Sequence, residues 1–256
     1  MRPLHFSESG KGSPLVFIHG FCETSEIWRE FIRPLANHFH VYALDLPGFG
    51  ESDLLSVPFS IDQVSNVVAK WLSQNKIYNS LVIGHSLGGY VALSLARRHS
   101  AMIKAVGLFH STSFADTPEK IENRNRVIEF VQKNGVPPYI ETFVPGLFFN
   151  KENPDIHEVL RIALTTKKET LIAYVAAMRD RPDGHEILRN HEIIKFFISG
   201  REDALIPPEI TKKSAEMSQN CRFFELAEVG HMGLFEAKTE CQRIISEFAS
   251  DLFQNK

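Results

Sequence analysis

The stretch Gly84-His85-Ser86-Leu87-Gly88-Gly89 constrains this chain more than any other. It follows the apolar run Leu81-Val82-Ile83 and opens the apolar-periodic segment Tyr90-Val91-Ala92-Leu93-Ser94-Leu95-Ala96. The pattern predicts a strand, a sharp turn and a helix, with a serine at the apex. Gly84, Ser86 and Gly88 satisfy G-x-S-x-G, the spacing of a nucleophile elbow. A serine held in a strained turn needs small neighbours, and Gly84 and Gly88, lacking a Cβ, let strand and helix approach closely. The helix N-terminus behind Ser86 offers free N–H groups and a dipole that favour a developing negative charge.

The frame around this elbow reads as α/β. Continuous apolar runs at Leu15–Ile18, Val41–Leu44 and Ala105–Phe109 suit buried parallel strands. A helix is predicted near Ser25–Ala36, and another after the capping box formed by Ser60 and Gln63. Residues 1–13 read as short and polar, with a turn at Ser9–Ser13. The strand-helix rhythm breaks after Phe109 and resumes at Phe196–Ser199 and Phe223–Leu226. A simple crossover needs only about a dozen residues, so this gap holds more than a connection. One helix is predicted from Thr117-Pro118 to Gly135, and another from the capping box Thr166 and Glu169 to Arg181-Pro182. Residues 112–190 are therefore expected to form a helical cap over a core made of 1–111 and 191–256.

Composition excludes several functions. A net charge of -3 gives no electrostatic case for nucleic acid or an anionic membrane. Three cysteines, Cys22, Cys221 and Cys241, without C-x-x-C spacing, argue against a disulfide framework or a zinc site. His157-Glu158, His185-Glu186 and His191-Glu192 each open like a zincin helix, but Arg161, Arg189 and Lys195 stand where its second histidine is needed. Lys11-Gly12 fails the P-loop pattern. Met1–Gly10 lacks an apolar signal region, and no run approaches the roughly 18 apolar residues of a membrane helix. The expectation is a cytoplasmic protein acting on a small molecule, with no metal, cofactor or integral membrane association.

A serine hydroxyl attacks only when a base takes its proton and an acid orients that base. Beyond such an elbow the acid and then the histidine follow along the chain. Of 11 histidines, His231 in Gly230-His231-Met232 is the one that follows the last predicted strand. The loop Gly200-Arg201-Glu202-Asp203-Ala204 offers two acids: Asp203 is the choice, Glu202 the rival, and Asp116 a more distant one. The oxyanion hole needs two N–H donors. They are expected from the backbones of Leu87, directly after the nucleophile, and Phe21, in the loop after Leu15–Ile18. Val144-Pro145-Gly146-Leu147-Phe148-Phe149 reads as an apolar loop that either faces the cleft or packs the cap's own core.

His19-Gly20-Phe21, Asp45-Leu46-Pro47-Gly48-Phe49-Gly50-Glu51-Ser52, Gly84–Gly89, Gly200…Asp203 and Gly230-His231 together resemble the α/β-hydrolase fold superfamily, specifically its small capped esterase-like members. The resemblance implies a mostly parallel sheet flanked by helices, a helical cap inserted after the sixth strand, and a serine nucleophile. It implies a structural part for 45–52 and gives none to His110-Ser111-Thr112. Ser86 stands where haloalkane dehalogenases and epoxide hydrolases of this fold carry Asp. The superfamily hosts esterases, lactonases, C–C hydrolases and ligand receptors alike. The expected activity is hydrolysis of small or medium carboxylic esters through an acyl-enzyme. A C–C hydrolase with the same triad, or a slow ligand-sensing receptor, is the alternative.

Overall fold

The computed structural model describes residues 4–254. Seven strands, β1 (Phe6–Ser9), β2 (Pro14–Ile18), β3 (His40–Leu44), β4 (Ser80–His85), β5 (Ile103–Phe109), β6 (Ile194–Gly200) and β7 (Cys221–Leu226), form one sheet in the order β1-β3-β2-β4-β5-β6-β7. β2 to β7 run parallel, and β1 pairs antiparallel with the edge of β3. The sequence reading missed β1. Its residues are exposed apart from half-buried Phe6, so an edge strand of this kind carries no apolar pattern to detect. All six residues of β4 are buried, as a central strand covered on both faces requires.

The helices are α1 (Arg29–Ile32), α2 (Ile61–Gln74), α3 (Leu87–Arg98), α4 (Pro118–Asn134), α5 (Pro137–Leu147), α6 (Asp155–Ala163), α7 (Lys168–Arg179), α8 (His185–Arg189), α9 (Pro208–Glu216), α10 (Gly233–Glu236) and α11 (Lys238–Gln254). In one layer α2 packs on α3, α3 on α8 and α8 on α9, while α1 meets α11 in another. Ser60 and Gln63 form the expected capping box at α2, with Ser60 Oγ accepting from Gln63 N–H at 3.2 Å. The single helix expected over 25–36 is broken instead into a 3-10 turn at Ser25–Trp28, α1, and a second 3-10 turn at Leu35–Asn37. Pro34 stops the helical ladder there. Trp28 and Phe31 still face inward, with ring centroids 5.0 and 6.2 Å from Phe17, and burying each such ring contributes about 1.5–3 kcal/mol.

Between β5 and β6 the chain forms α4 to α8. The insertion follows the fifth strand, not the sixth. Among the described residues only β1 precedes β2, with residues 10–13 between them. α4 starts as expected, with Thr117 Oγ1 capping Lys120 N–H at 3.3 Å and Pro118 at the first position. α7 begins at Lys168, later than the Thr166 cap predicted. Thr166 is buried, and its N–H closes the turn after α6 on Ala163 O at 3.1 Å. Residues 144–147 are the last turn of α5, with Pro145 inside it, rather than a loop. α4 packs on α5 and α7, and α5 on α6, whereas α8 joins the α3 and α9 layer.

Candidate active site

The sheet register brings the loops together. Ile18 of β2 lies opposite Gly84 of β4, His85 opposite Phe109 of β5, and Phe109 opposite Ile198 of β6. The residues just beyond these positions stand side by side at the carboxyl ends of adjacent strands. β2 is flanked by β3 on one side and β4 on the other, so strand order reverses here and the loops after β2 and β4 diverge to leave a crevice.

Ser86 sits at φ 50°, ψ −114°, a region costly for a residue with a Cβ. Its N–H donates to Phe109 O at 2.9 Å, and its carbonyl accepts from Ser111 Oγ at 2.8 Å. The neighbouring glycines leave no room for a side chain. A Cβ on Gly84 would lie 2.2 Å from Gly88 C, and one on Gly88 would lie 2.3 Å from Ile18 O.

Asp203 and His231 meet in the structure, with His231 Nδ1 donating to Asp203 Oδ2 at 2.7 Å. Asp203 Oδ1 accepts from the N–H groups of Leu205 and Ile206, both at 2.9 Å. Burial would raise the Asp203 pKa, but its surroundings, the His231 imidazole first among them, outweigh it and hold the carboxyl well below its usual range. Glu202 is exposed, and Asp116 is engaged by Arg124 and Arg181, so neither rival acid meets His231. His231 Nε2 is buried and, among the described residues, without a hydrogen-bond partner. Its backbone is held at both ends: its N–H donates to Leu147 O at 2.7 Å, and its carbonyl accepts from His85 Nε2 at 2.9 Å. Among the described residues the N–H groups of Phe21 and Leu87 donate to no protein acceptor.

Three buried groups had no role in the sequence reading. Glu23 accepts from Gly20 N–H at 2.5 Å and from His85 Nδ1 at 3.0 Å, tying the Phe21 loop to the residue before Ser86. His110, at φ 48°, places Nδ1 3.2 Å from the Gly200 N–H and 3.5 Å from Asp203 Oδ2. Burial pushes its pKa down to about 4, so it is neutral near pH 7. Its position directly after a central strand was visible in sequence, its contact with Asp203 was not. His110, Asp203 and His231 have potential ligand atoms within 4.8 Å of one another. Within this cluster His231 Nδ1 is bonded to Asp203 and His110 Nδ1 accepts the Gly200 N–H, so these atoms form a hydrogen-bonded network.

Asp45, in the stretch expected to be structural, accepts from Ser25 N–H at 2.7 Å, Glu51 N–H at 3.1 Å and His5 Nδ1 at 2.7 Å. Cys22 is buried at φ 59°, and burial pushes its thiol pKa up, away from thiolate chemistry.

Ser86 opens into a cavity of about 480 Å³ that Phe21, Tyr90, Tyr139, Phe143, Val175 and Met178 help to line. The cavity wall from α5 is Tyr139, Thr142 and Phe143. The 144–149 segment does not line it: Val144, Leu147 and Phe148 are buried in packing, and Phe149 is 45% exposed.

Comparison with known proteins fits this geometry. Residues 13–131 match the family described as alpha/beta hydrolase fold. The chain is 25% identical over 258 residues to a pimeloyl-[acyl-carrier protein] methyl ester esterase of Vibrio cholerae serotype O1, covering 96% of this chain and 98% of the relative. It is 24% identical over 242 residues to a 2-hydroxy-6-oxo-6-(2'-aminophenyl)hexa-2,4-dienoic acid hydrolase of Metapseudomonas resinovorans, covering 90% and 82%. A solved structure of a thermophilic esterase from Thermogutta terrifontis, malate bound, superposes with a TM-score of 0.91 at 26% identity, covering 97% of this chain and 93% of that one.

Proposed function

Because the chain belongs to the α/β-hydrolase fold superfamily, we propose that it is a serine hydrolase of carboxylic esters, with Ser86 as nucleophile, His231 as base and Asp203 as the acid that orients it. The observation that carries this reading is the 2.7 Å bond from His231 Nδ1 to Asp203, which leaves the buried Nε2 of the same ring unpartnered. An imidazole whose Nδ1 proton is fixed by a carboxylate keeps a lone pair on Nε2 for a hydroxyl proton.

In the reaction, Ser86 Oγ attacks the ester carbonyl as His231 Nε2 takes its proton. The N–H groups of Phe21 and Leu87 hold the oxyanion. His231 then protonates the departing alcohol, leaving an acyl-Ser86 ester. Water gives its proton to His231, attacks the acyl carbon, and the acid leaves as Ser86 Oγ is reprotonated. The Asp203 carboxylate stabilises the imidazolium in both halves. Within 112–190, α4 to α7 act as the cap, and α4, α5 and α7 supply the cavity walls that select the substrate.

The test is hydrolysis of p-nitrophenyl esters from acetate to decanoate by the wild type and by Ser86→Ala. Turnover that vanishes in Ser86→Ala supports the reading, and its chain-length profile measures the acyl pocket. Turnover that survives in Ser86→Ala, or none from a folded wild type, overturns it. A second reading, C–C bond hydrolysis with the same triad, rests on the likeness to the dienoic acid hydrolase. It predicts turnover of ring-cleavage dienones in preference to simple esters.

A further inference from the structure

The cavity lining holds two chemistries. Phe21, Phe143, Val175, Met178, Leu205 and Ile206 are apolar. Lys120, Asn123 and Arg124 from α4, at spacings that put them with the apolar Val127 on one helix face, are polar or cationic, and α5 adds Tyr139 and Thr142. Among the described lining residues there is no Asp or Glu.

The charge behind these groups does not cancel. Asp116 accepts from Arg124 Nε and from Arg181 Nη1, the latter at 2.8 Å. One carboxylate thus faces two guanidiniums. Burial would raise its pKa, but those two partners outweigh the cost and hold Asp116 ionised. Arg181 is engaged elsewhere: it donates to Phe114 O at 2.9 Å and to Met178 O at 2.5 Å, and lies 3.8 Å over the Tyr90 ring. Arg124 is different. Its Nε is anchored to Asp116, and among the described residues its Nη groups have no acceptor. Among the described residues Lys120 Nζ meets only Leu205 O, at 3.5 Å. A guanidinium fixed through Nε with its Nη edge unpaired is preorganised for a planar carboxylate.

We propose that the substrate is an ester whose apolar acyl chain ends in a carboxylate, and that Arg124 and Lys120 hold that carboxylate while Ser86 attacks the ester at the other end. This rests on the hydrolase reading above for the reaction and on the cavity wall for the ligand class. The apolar residues take the methylene chain. The cationic groups discriminate against a neutral chain of equal length, which would leave the Arg124 Nη groups without an acceptor.

The experiment compares the p-nitrophenyl monoester of adipic acid with p-nitrophenyl hexanoate, which match in chain length and differ in the terminal carboxylate. The wild type should favour the adipate ester by at least about tenfold in kcat/KM, and raised salt should shrink the preference. Lys120→Met and Arg124→Met should each lower that ratio by about tenfold. Arg124 also holds Asp116, so Lys120→Met, at an exposed side chain, carries the test if Arg124→Met does not fold. A wild type indifferent to the carboxylate, or a ratio unchanged in Lys120→Met, overturns the proposal. Calorimetric titration of Ser86→Ala with adipate separates the two readings. Adipate binding that Lys120→Met weakens supports the anion site even where no ester is turned over, an outcome that sinks the hydrolase reading alone. Absence of adipate binding to Ser86→Ala overturns the anion site.

Discussion

His85 Nε2 donates to the carbonyl oxygen of His231 across 2.9 Å, so the residue before the proposed nucleophile holds the backbone of the proposed base. The other ring nitrogen faces Glu23 Oε2 at 3.0 Å. Both partners are acceptors, so both nitrogens carry protons and His85 is a cation paired with a carboxylate. Burial would lower the His85 pKa, but the Glu23 charge outweighs it and raises it. Burial would raise the Glu23 pKa, and His85 reverses that in turn.

Glu23→Gln removes the counter-charge from a site where both side chains are at most 3% exposed. Leaving a buried ion unpaired costs about 3–5 kcal/mol, which in a chain of this size lowers Tm by roughly 10 °C. Glu30→Gln, which breaks an exposed pair with Arg33, should cost under about 1 kcal/mol. The pH dependence has a definite sign. A raised His85 pKa stabilises the fold below pH 6.5 and is lost as pH rises through the folded value; a lowered Glu23 pKa stabilises above pH 4.5 and is lost as pH falls through its own. Chemical denaturation at pH 6 and pH 9 should therefore show a larger gap between wild type and Glu23→Gln at pH 6. An equal gap at both would mean His85 is not charged in the fold.

Ser86→Ala and His231→Ala should each lower kcat by about 10⁴-fold or more, and the double variant should lose little beyond either single one, because the residues act as one unit. Steady-state kinetics on one ester, with folding checked by circular dichroism, measures this. Losses that multiply would mean the two residues work independently.

The acid is separable by paired amides. Asp203 is buried and bonded to His231, while Glu202 is exposed. Asp203→Asn should cut kcat by about 10⁴-fold, since an amide donor opposite Nδ1 favours the wrong tautomer. Glu202→Gln should stay within about twofold of wild type. Reversed outcomes would assign the role to Glu202.

Much of this arrangement was legible in the sequence because it depends on local chemistry. G-x-S-x-G between an apolar run and an apolar-periodic segment predicts the turn at Ser86, and the observed φ of 50° agrees. Thr117-Pro118 and Ser60–Gln63 specify helix starts through groups within three residues of each other. What the sequence hid is set by distant contacts. Glu23 and His85 are 62 positions apart, and a lone glutamate after a strand has no periodic signature. β1 is exposed and pattern-free. The helical state of 144–147 ran against its Pro145 and Gly146, and its burial is fixed by packing of Val144 and Leu147 rather than by propensity. Which face of α4 meets the cavity follows from how α4 packs on α5 and α7, not from its own charge pattern.

His110 gives the clearest acid-stability prediction. Its Nδ1 accepts the Gly200 N–H at 3.2 Å, so the ring is held neutral, and burial lowers its pKa from 6.5 to about 4. Between those values the unfolded chain binds a proton that the fold refuses, so stability falls as pH drops through this window and levels off below it. The loss amounts to about 3 kcal/mol for this one residue, and buried His19, also lowered first by burial, adds in the same direction. His110→Asn keeps an acceptor for Gly200 and tolerates the φ of 48°, but does not titrate. Urea denaturation from pH 7 to pH 4 should therefore give a flatter stability curve for His110→Asn than for wild type. Parallel curves would mean that His110 is protonated in the fold, which would require its Nδ1 to donate to Asp203 rather than accept from Gly200.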